Sequence, residues 1–367
     1  MQDTVPRIYQ PQVREKLGKF PAVAILGPRQ CGKTTLARQF EGAYFDMETA
    51  GSQVRLDAEW DALVCGDKLV IIDEAQQAPE VFSRLRGAID ADRKRNGRFL
   101  LLGSVSPALM ETVSESLAAR LGFVRLTPLI LPELGAERLD DLWLRGGSPD
   151  GGMLDPAMFP EWQDSYLEAL VTRDLPSWGL PARPERTRRL LGMLAAIHGR
   201  ALNASQLGGS LALDHKTVLR YCDFLEGAFL TRRLQPYAAN VKKRLVKTPR
   251  IFWRDSGLLH AVMRISDLDA LYHQPWLVHS WEGFIIEQTI AALGASGKRA
   301  EPFLFRTAGG YELDLVLDWG TERWAVEIKL TSDPSPSDID RLNKTADMID
   351  AARRVFTRSC ACRSSGS

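Results

Sequence analysis

Three groups of residues combine types and spacings that can do chemistry. The first is Gly27-Pro28-Arg29-Gln30-Cys31-Gly32-Lys33-Thr34, followed by Thr35. It is a G-x-x-x-x-G-K-[ST] loop. Gly27 and Gly32 allow the backbone to turn its N–H groups inward around a phosphate. Lys33 would neutralise the β- and γ-phosphates of a nucleoside triphosphate, and the Thr34 hydroxyl would ligate Mg²⁺. The second group is Asp73-Glu74, which closes the apolar run Leu69-Val70-Ile71-Ile72. Asp73 would hold Mg²⁺ through water, and Glu74 would orient and polarise an attacking water. That role suits hydrolysis better than nucleotide storage. The third group is Asp314 with Glu327-Ile328-Lys329. Residues i and i+2 of a strand share a face, so Glu327 and Lys329 point the same way. Asp314 and Glu327 can clamp one or two divalent ions. Lys329 can orient or help deprotonate a hydrolytic water, and Glu287 would complete the shell from a helix.

These residues need a frame. Ala22–Leu26 reads as a buried strand leading into the loop, and Thr35–Phe40 as the first turns of a helix. Ala43–Asp46 reads as a second strand with an acid at its tip. A helix is expected over Gln53–Val64, and another from Pro79 to about Asn96. Arg98–Ser104 is a further buried strand, and Phe123–Leu126 the last of this region. Ser104 is either a sensor of the γ-phosphate or a helix cap before Pro107. Alternating strands and helices imply an open, mainly parallel sheet with nucleotide at the strand C-termini.

The middle of the chain is basic. From Arg183 to Arg254 there are 15 Lys+Arg and 4 Asp+Glu, a local excess of +11 in a chain of net charge +1. This favours a polyanion partner for that segment. Arg188–His198 reads as a helix. Leu202–Leu207 begins a second, capped by Asn203 or Ser205 and broken by Gly208-Gly209. A third opens at Asp214 and runs to about Glu226. This order reads as a helix-turn-helix. Phe229–Tyr237 and Arg250–Trp253 then form a β-hairpin wing around Lys242-Lys243-Arg244. On a nucleic-acid reading, His215, Lys216 and Arg220 project from the recognition helix and the Lys242–Arg244 cluster meets phosphates. The alternative is a winged helix used only for packing.

Length and composition bound the rest. A chain of 367 residues favours two to three domains. Hydrophobic content of 45% and charged content of 25% are those of a soluble globular protein. No apolar stretch approaches the ~18 residues of a membrane span, and Met1-Gln2-Asp3-Thr4 does not open a signal peptide. Five widely spaced cysteines give no metal-ligand pattern and fit a reducing, cytoplasmic setting. The expected organisation is an ATP-binding domain at 1–130, a helical connector at 131–184, a winged helix-turn-helix at 185–265, an α/β domain at 275–358 and a disordered tail at 359–367. The connector holds the turn-rich Gly146–Gly152 and a helix over Trp162–Arg173 that ends before Pro176.

Two resemblances sharpen this. The stretches Gly27–Leu36, Ile72-Asp73-Glu74-Ala75-Gln76 and Phe99–Pro107 resemble the AAA-type ATP-binding proteins of bacteria and archaea. In that family the ATPase precedes a C-terminal domain long catalogued as of unknown function. The resemblance covers nearly the whole chain. It implies a P-loop NTPase (AAA-type) fold, ATP and Mg²⁺ as cofactors, and an arginine near the γ-phosphate, with Arg84, Arg86 and Arg120 as candidates. The order helix (Trp281–Leu293), three strands, helix (Ser337–Ala351) and strand (Arg354–Thr357) resembles the PD-(D/E)XK nuclease fold. It departs from that pattern in lacking a Pro-Asp pair, since the local sequence is Glu312-Leu313-Asp314. The expected function is an ATPase whose nucleotide state controls a DNA-binding winged helix and a nuclease-like module. The alternative is a nucleotide-dependent switch or scaffold whose nuclease-like domain does not cut. The expected partners are nucleic acid (DNA), a protein or a second copy, with no membrane.

Overall fold

The computed structural model describes residues 5–104, 117, 119–238 and 246–358. Lys242, Lys243, Arg244 and the tail at 359–367 lie outside the described residues. The chain divides into two compact units, Met1–Leu129 with Gly227–Phe229, and Ile130–Glu226 with Leu230–Ser367.

The first unit is built on a five-stranded sheet of β1 (Ala22–Leu26), β2 (Gly42–Asp46), β3 (Leu69–Asp73), β4 (Phe99–Gly103) and β5 (Leu121–Arg125). The strand order is β2-β3-β4-β1-β5. Every pairing is parallel. All five residues of β1 and of β4 are buried, as expected for central strands covered on both faces. The helices are α1 (Gln10–Lys19), α2 (Lys33–Ala37), α3 (Ala50–Cys65) and α4 (Glu80–Ala91). Phe82, Leu85 and Ile89 of α4 join Val70, Ile72, Phe99 and Leu101 in the core. The sequence predicts α4 to about Asn96, but it stops at Ala91. Asp92 to Asn96 hold no apolar residue to bury, and Arg95 instead reaches the Asp67 carboxylate at 3.0 Å.

The register lines up the strand tips. Leu26 pairs with Gly103, and Asp46 with Asp73. The phosphate loop, Asp73-Glu74 and Ser104 therefore leave the sheet along one edge.

In the second unit, α5 (Leu139–Arg145) and α6 (Glu161–Ala169) precede α7 (Pro184–Ala196), α8 (Ala204–Leu211) and α9 (His215–Gly227). Two expectations fail here. The helix expected to end before Pro176 continues through a π turn, Leu170–Asp174, into Leu175–Ser177, so Pro176 sits in the first turn of the last segment. Gly208 and Gly209 do not break α8; they lie inside it. The turn comes at Ala212 (φ 53°), where Leu213 N–H closes onto the Gly208 carbonyl at 2.9 Å. The Asn203 side chain caps α8 by accepting from Gln206 N–H at 3.0 Å.

The strands β6 (Thr231–Pro236) and β7 (Arg250–Trp253) are antiparallel, and they do not stand free. With β8 (Glu301–Arg306), β9 (Glu312–Asp318), β10 (Arg323–Lys329) and β11 (Ala352–Thr357) they make one six-stranded sheet, ordered β11-β10-β9-β8-β6-β7. The join is a parallel pairing of Gln235 and Pro236 with Phe303 and Leu304. The helices of this region include α10 (Ser256–Val262), α11 (Leu277–Ala295) and α12 (Pro336–Asp347). α12 buries Leu342 and Ala346 against Phe305, Leu313, Val316 and Ala325. No helix among the described residues is long and apolar enough to cross a membrane.

Candidate functional site

The phosphate loop follows β1 and ends in α2. Gly32 adopts φ 91°, a left-handed conformation that a side chain would disfavour. A Cβ at Gly27 would fall 2.2 Å from the Leu126 carbonyl oxygen, so β5 packs too closely for any larger residue. Lys33 is buried and its ammonium spans the loop, donating to the carbonyls of Gly27 (3.1 Å) and Pro28 (2.8 Å). Arg29 pairs with Glu48 at 3.1 Å. Gln30 takes φ 59°, Cys31 is fully buried, and Thr35 is exposed in α2.

The acids follow from the register. Asp73 Oδ2 accepts from the Thr34 hydroxyl at 2.6 Å and from the Tyr44 hydroxyl at 2.6 Å. Its Oδ1 accepts from Glu74 N–H at 2.9 Å. A hydroxyl beside a carboxylate is an all-oxygen donor set suited to Mg²⁺. These residues fit the ion, which Thr34 and Asp73 would hold. Glu74 takes φ 48°, an uncommon conformation that turns its carboxylate back over the strand tips. One carboxylate oxygen accepts from Ser104 at 2.8 Å, and the other is held by the Gln76 amide. Ser104 thus acts on Glu74, and the reading of it as a cap before Pro107 falls partly on residues outside those described.

Two contributors escape sequence reasoning. Arg7 is buried and donates to the Cys31 carbonyl in the loop (2.6 Å) and to the Thr127 carbonyl after β5 (2.7 Å). Tyr44 orients Asp73, and burial, then the Asp73 contact, holds its phenol well above the usual range. Neither lies in a local motif. Of the candidate arginines, Arg84 pairs with Asp57 and lies over the Trp60 ring, and Arg86 is exposed on α4. Arg120 pairs with Asp90 at 2.8 Å and precedes β5, at the sheet edge opposite the loop.

The second cluster lies on β9, β10, α11 and α12. Val326 pairs with Leu315, and continuing that register by one residue sets Glu327 opposite Asp314. Asp314 Oδ2 accepts from Ile328 N–H at 2.8 Å. Burial, then the charges of Glu282 and Glu327, pushes Asp314 well above the usual carboxylate range. Burial also raises Glu327. Burial opposes the charge on Lys329. Its contacts with Glu327 (2.8 Å) and Asp338 (3.3 Å) nevertheless hold its ammonium above the ordinary value.

Glu287 does not complete this cluster. Its buried carboxylate is taken by Arg232 and by Arg254, the latter at 3.2 Å, and those two cations keep it charged against burial. The helix acid acting on Asp314 and Glu327 is Glu282, itself 3.1 Å from His279 Nδ1. Five positions along a helix turn a side chain by roughly 140°, so Glu282 and Glu287 serve different neighbours. The donors are hard oxygens, but no three His, Cys, Asp or Glu among the described residues gather closely enough to hold an ion. Any ion here would rest on the Asp314–Glu327 pair.

His215, Lys216 and Arg220 are exposed on α9, while Val218, Tyr221, Cys222 and Leu225 bury its other face. None of those three side chains is ion-paired among the described residues.

The comparisons agree with this layout. Residues 19–135 match the AAA domain family. Residues 136–269 match a domain of unknown function (DUF8612), and residues 279–362 another (DUF4143). Two relatives are each 38% identical over 334 residues, covering 89% of this chain and 74% of theirs. They are uncharacterized protein Rv2008c of Mycobacterium tuberculosis and uncharacterized protein Mb2031c of Mycobacterium bovis. Among solved structures, the Walker-type ATPase PABY2304 of Pyrococcus abyssi is 13% identical with a TM-score of 0.49, covering 71% of this chain and 96% of that one. The fold and site define an AAA-type P-loop ATPase. The chain belongs to the family of these two mycobacterial proteins, and in this chain an AAA domain is joined to two domains of unknown function.

Proposed function

We propose that the chain is a Mg²⁺-dependent ATPase whose nucleotide state controls DNA binding by a helix-turn-helix and a nuclease-like C-terminal region. The observation that carries the hydrolytic part is Glu74. Its carboxylate is held at both oxygens at the strand edge where the phosphate loop ends, beside the Thr34–Asp73 pair. When bound, Mg²⁺ would neutralise phosphate charge there. Lys33 binds the β- and γ-phosphates, Asp73 and Thr34 present oxygen donors, and Glu74 orients water and takes up its proton. Lys33→Ala should abolish ATP binding. Glu74→Gln should keep binding and lower turnover by about 10²-fold or more; hydrolysis at the native rate in that variant would remove Glu74 from its role.

The DNA part rests on the basic excess between Arg183 and Arg254 and on exposed His215, Lys216 and Arg220. Lys242, Lys243 and Arg244 extend the same reading. For the C-terminal centre, the mutual repulsion of Asp314, Glu327 and Glu282 favours a bound cation and hence metal-dependent cleavage. The lack of a third gathered ligand favours the other reading, a switch whose nuclease-like region binds without cutting. Incubating supercoiled plasmid and single-stranded DNA with Mg²⁺ or Mn²⁺ separates the two. Cleavage lost in Asp314→Ala supports the nuclease, and intact DNA under every condition supports the switch.

A further inference from the structure

A groove of about 400 Å³ opens between the β8–β9 turn and α12. One wall is Gly309, Gly310 and Tyr311; the other is Ser337, Asp340, Arg341 and Lys344. The four α12 residues sit at i, i+3, i+4 and i+7, a single helix face. Arg341 and Lys344 are exposed, and neither is ion-paired among the described residues. The glycine wall borders open space: Gly310 takes φ 83°, and a Cβ there would meet nothing within 4 Å. Asp340 offsets one of the two cations, which leaves the lining net positive. The same helix borders the carboxylate centre, because Asp338 pairs with Lys329. Tyr311 opens onto β9, three residues before Asp314.

We propose that this groove binds the sugar-phosphate backbone of a nucleic-acid strand, alongside the Asp314–Glu327 centre. The proposal rests on reading the C-terminal region as directed at nucleic acid. Two unpaired cations supply phosphate contacts, the glycine turn gives the backbone room, and Tyr311 offers an aromatic face to a base. Such a track needs no sequence readout, which suits a groove with one aromatic ring and few fixed polar partners.

The test is the anisotropy of a fluorescent oligothymidylate titrated with full-length protein across a salt series. The Arg341→Glu/Lys344→Glu variant should raise Kd by at least ~10-fold and lower the salt slope by about 1 to 2. Tyr311→Ala should weaken binding several-fold with the slope kept, as expected for lost stacking. Charge reversal at exposed Lys298 is the control for net charge, and unchanged melting temperatures verify folding. The proposal is overturned if the double variant binds like the native chain or no worse than Lys298→Glu. If Lys216→Glu/Arg220→Glu loses affinity in that same series, the nucleic-acid reading survives and only the groove fails. A native chain that binds no oligonucleotide at all sinks both.

Discussion

Asp73 receives two hydroxyl protons on one oxygen, from Thr34 and from Tyr44. Thr34 is the residue expected to exchange that contact for Mg²⁺, while Tyr44 keeps the carboxylate aimed. Groups that orient a metal-holding carboxylate are commonly worth tenfold or more in metal affinity. Tyr44→Phe should therefore raise the Mg²⁺ concentration for half-maximal ATP hydrolysis by about 10-fold, with kcat at saturating Mg²⁺ largely kept. An unchanged Mg²⁺ requirement would reduce Tyr44 to a packing residue. The loop, Asp73 and Glu74 are legible in the sequence because their chemistry lies in neighbouring residues. Arg7, Tyr44 and Glu282 are not. Their partners are set by the sheet and by helix phase, as the choice between Glu282 and Glu287 shows.

At the scale of elements, α5, α7, α10 and α11 meet around two buried histidines. His260 Nδ1 donates to the Leu144 carbonyl at 2.8 Å, and its Nε2 meets the Ser280 hydroxyl at 2.7 Å. Ser280 also accepts from the Trp143 indole at 3.0 Å. His198 Nδ1 accepts from Trp253 N–H at 3.0 Å, which leaves Nε2–H to donate to the His279 carbonyl at 3.1 Å. The His198 network needs the neutral ring, because Nδ1 accepts. Burial pushes His198 from 6.5 to about 3 and His260 from 6.5 to about 4. A depressed histidine contributes stability in full above the unfolded value and loses it as pH falls toward the folded one. Urea unfolding of the second unit should therefore weaken from about pH 6.5 toward pH 4, with a slope reaching ~1.4 kcal/mol per pH unit for each histidine. Flat stability across that window would contradict the assignment. Of these helices, α7 and α11 are legible from their periodicity, whereas α5 and α10 are short and are not expected from the sequence. The joining of β6 to β8 is not legible either, because a parallel pairing between segments far apart in sequence leaves no local signal. Gly208-Gly209 fails as a signal for the opposite reason: the glycines suggest a turn, but the helix runs on to Leu211 and turns at Ala212.

At the scale of the whole chain, the proposed function requires that nucleotide at the AAA domain and nucleic acid at the basic region influence one another. The formal charge is uneven, with +11 between Arg183 and Arg254 and −10 over the remaining residues. Such coupling is reciprocal and amounts typically to about 1–3 kcal/mol, or roughly 5- to 150-fold in affinity. The direct measurement is the DNA affinity of the Glu74→Gln protein, which holds ATP without consuming it, in saturating Mg²⁺-ATP and in Mg²⁺-ADP at one fixed salt concentration. The account predicts that the two Kd values differ by at least ~5-fold. Equal values would contradict it, leaving an ATPase and a DNA-binding region that share a chain without communicating.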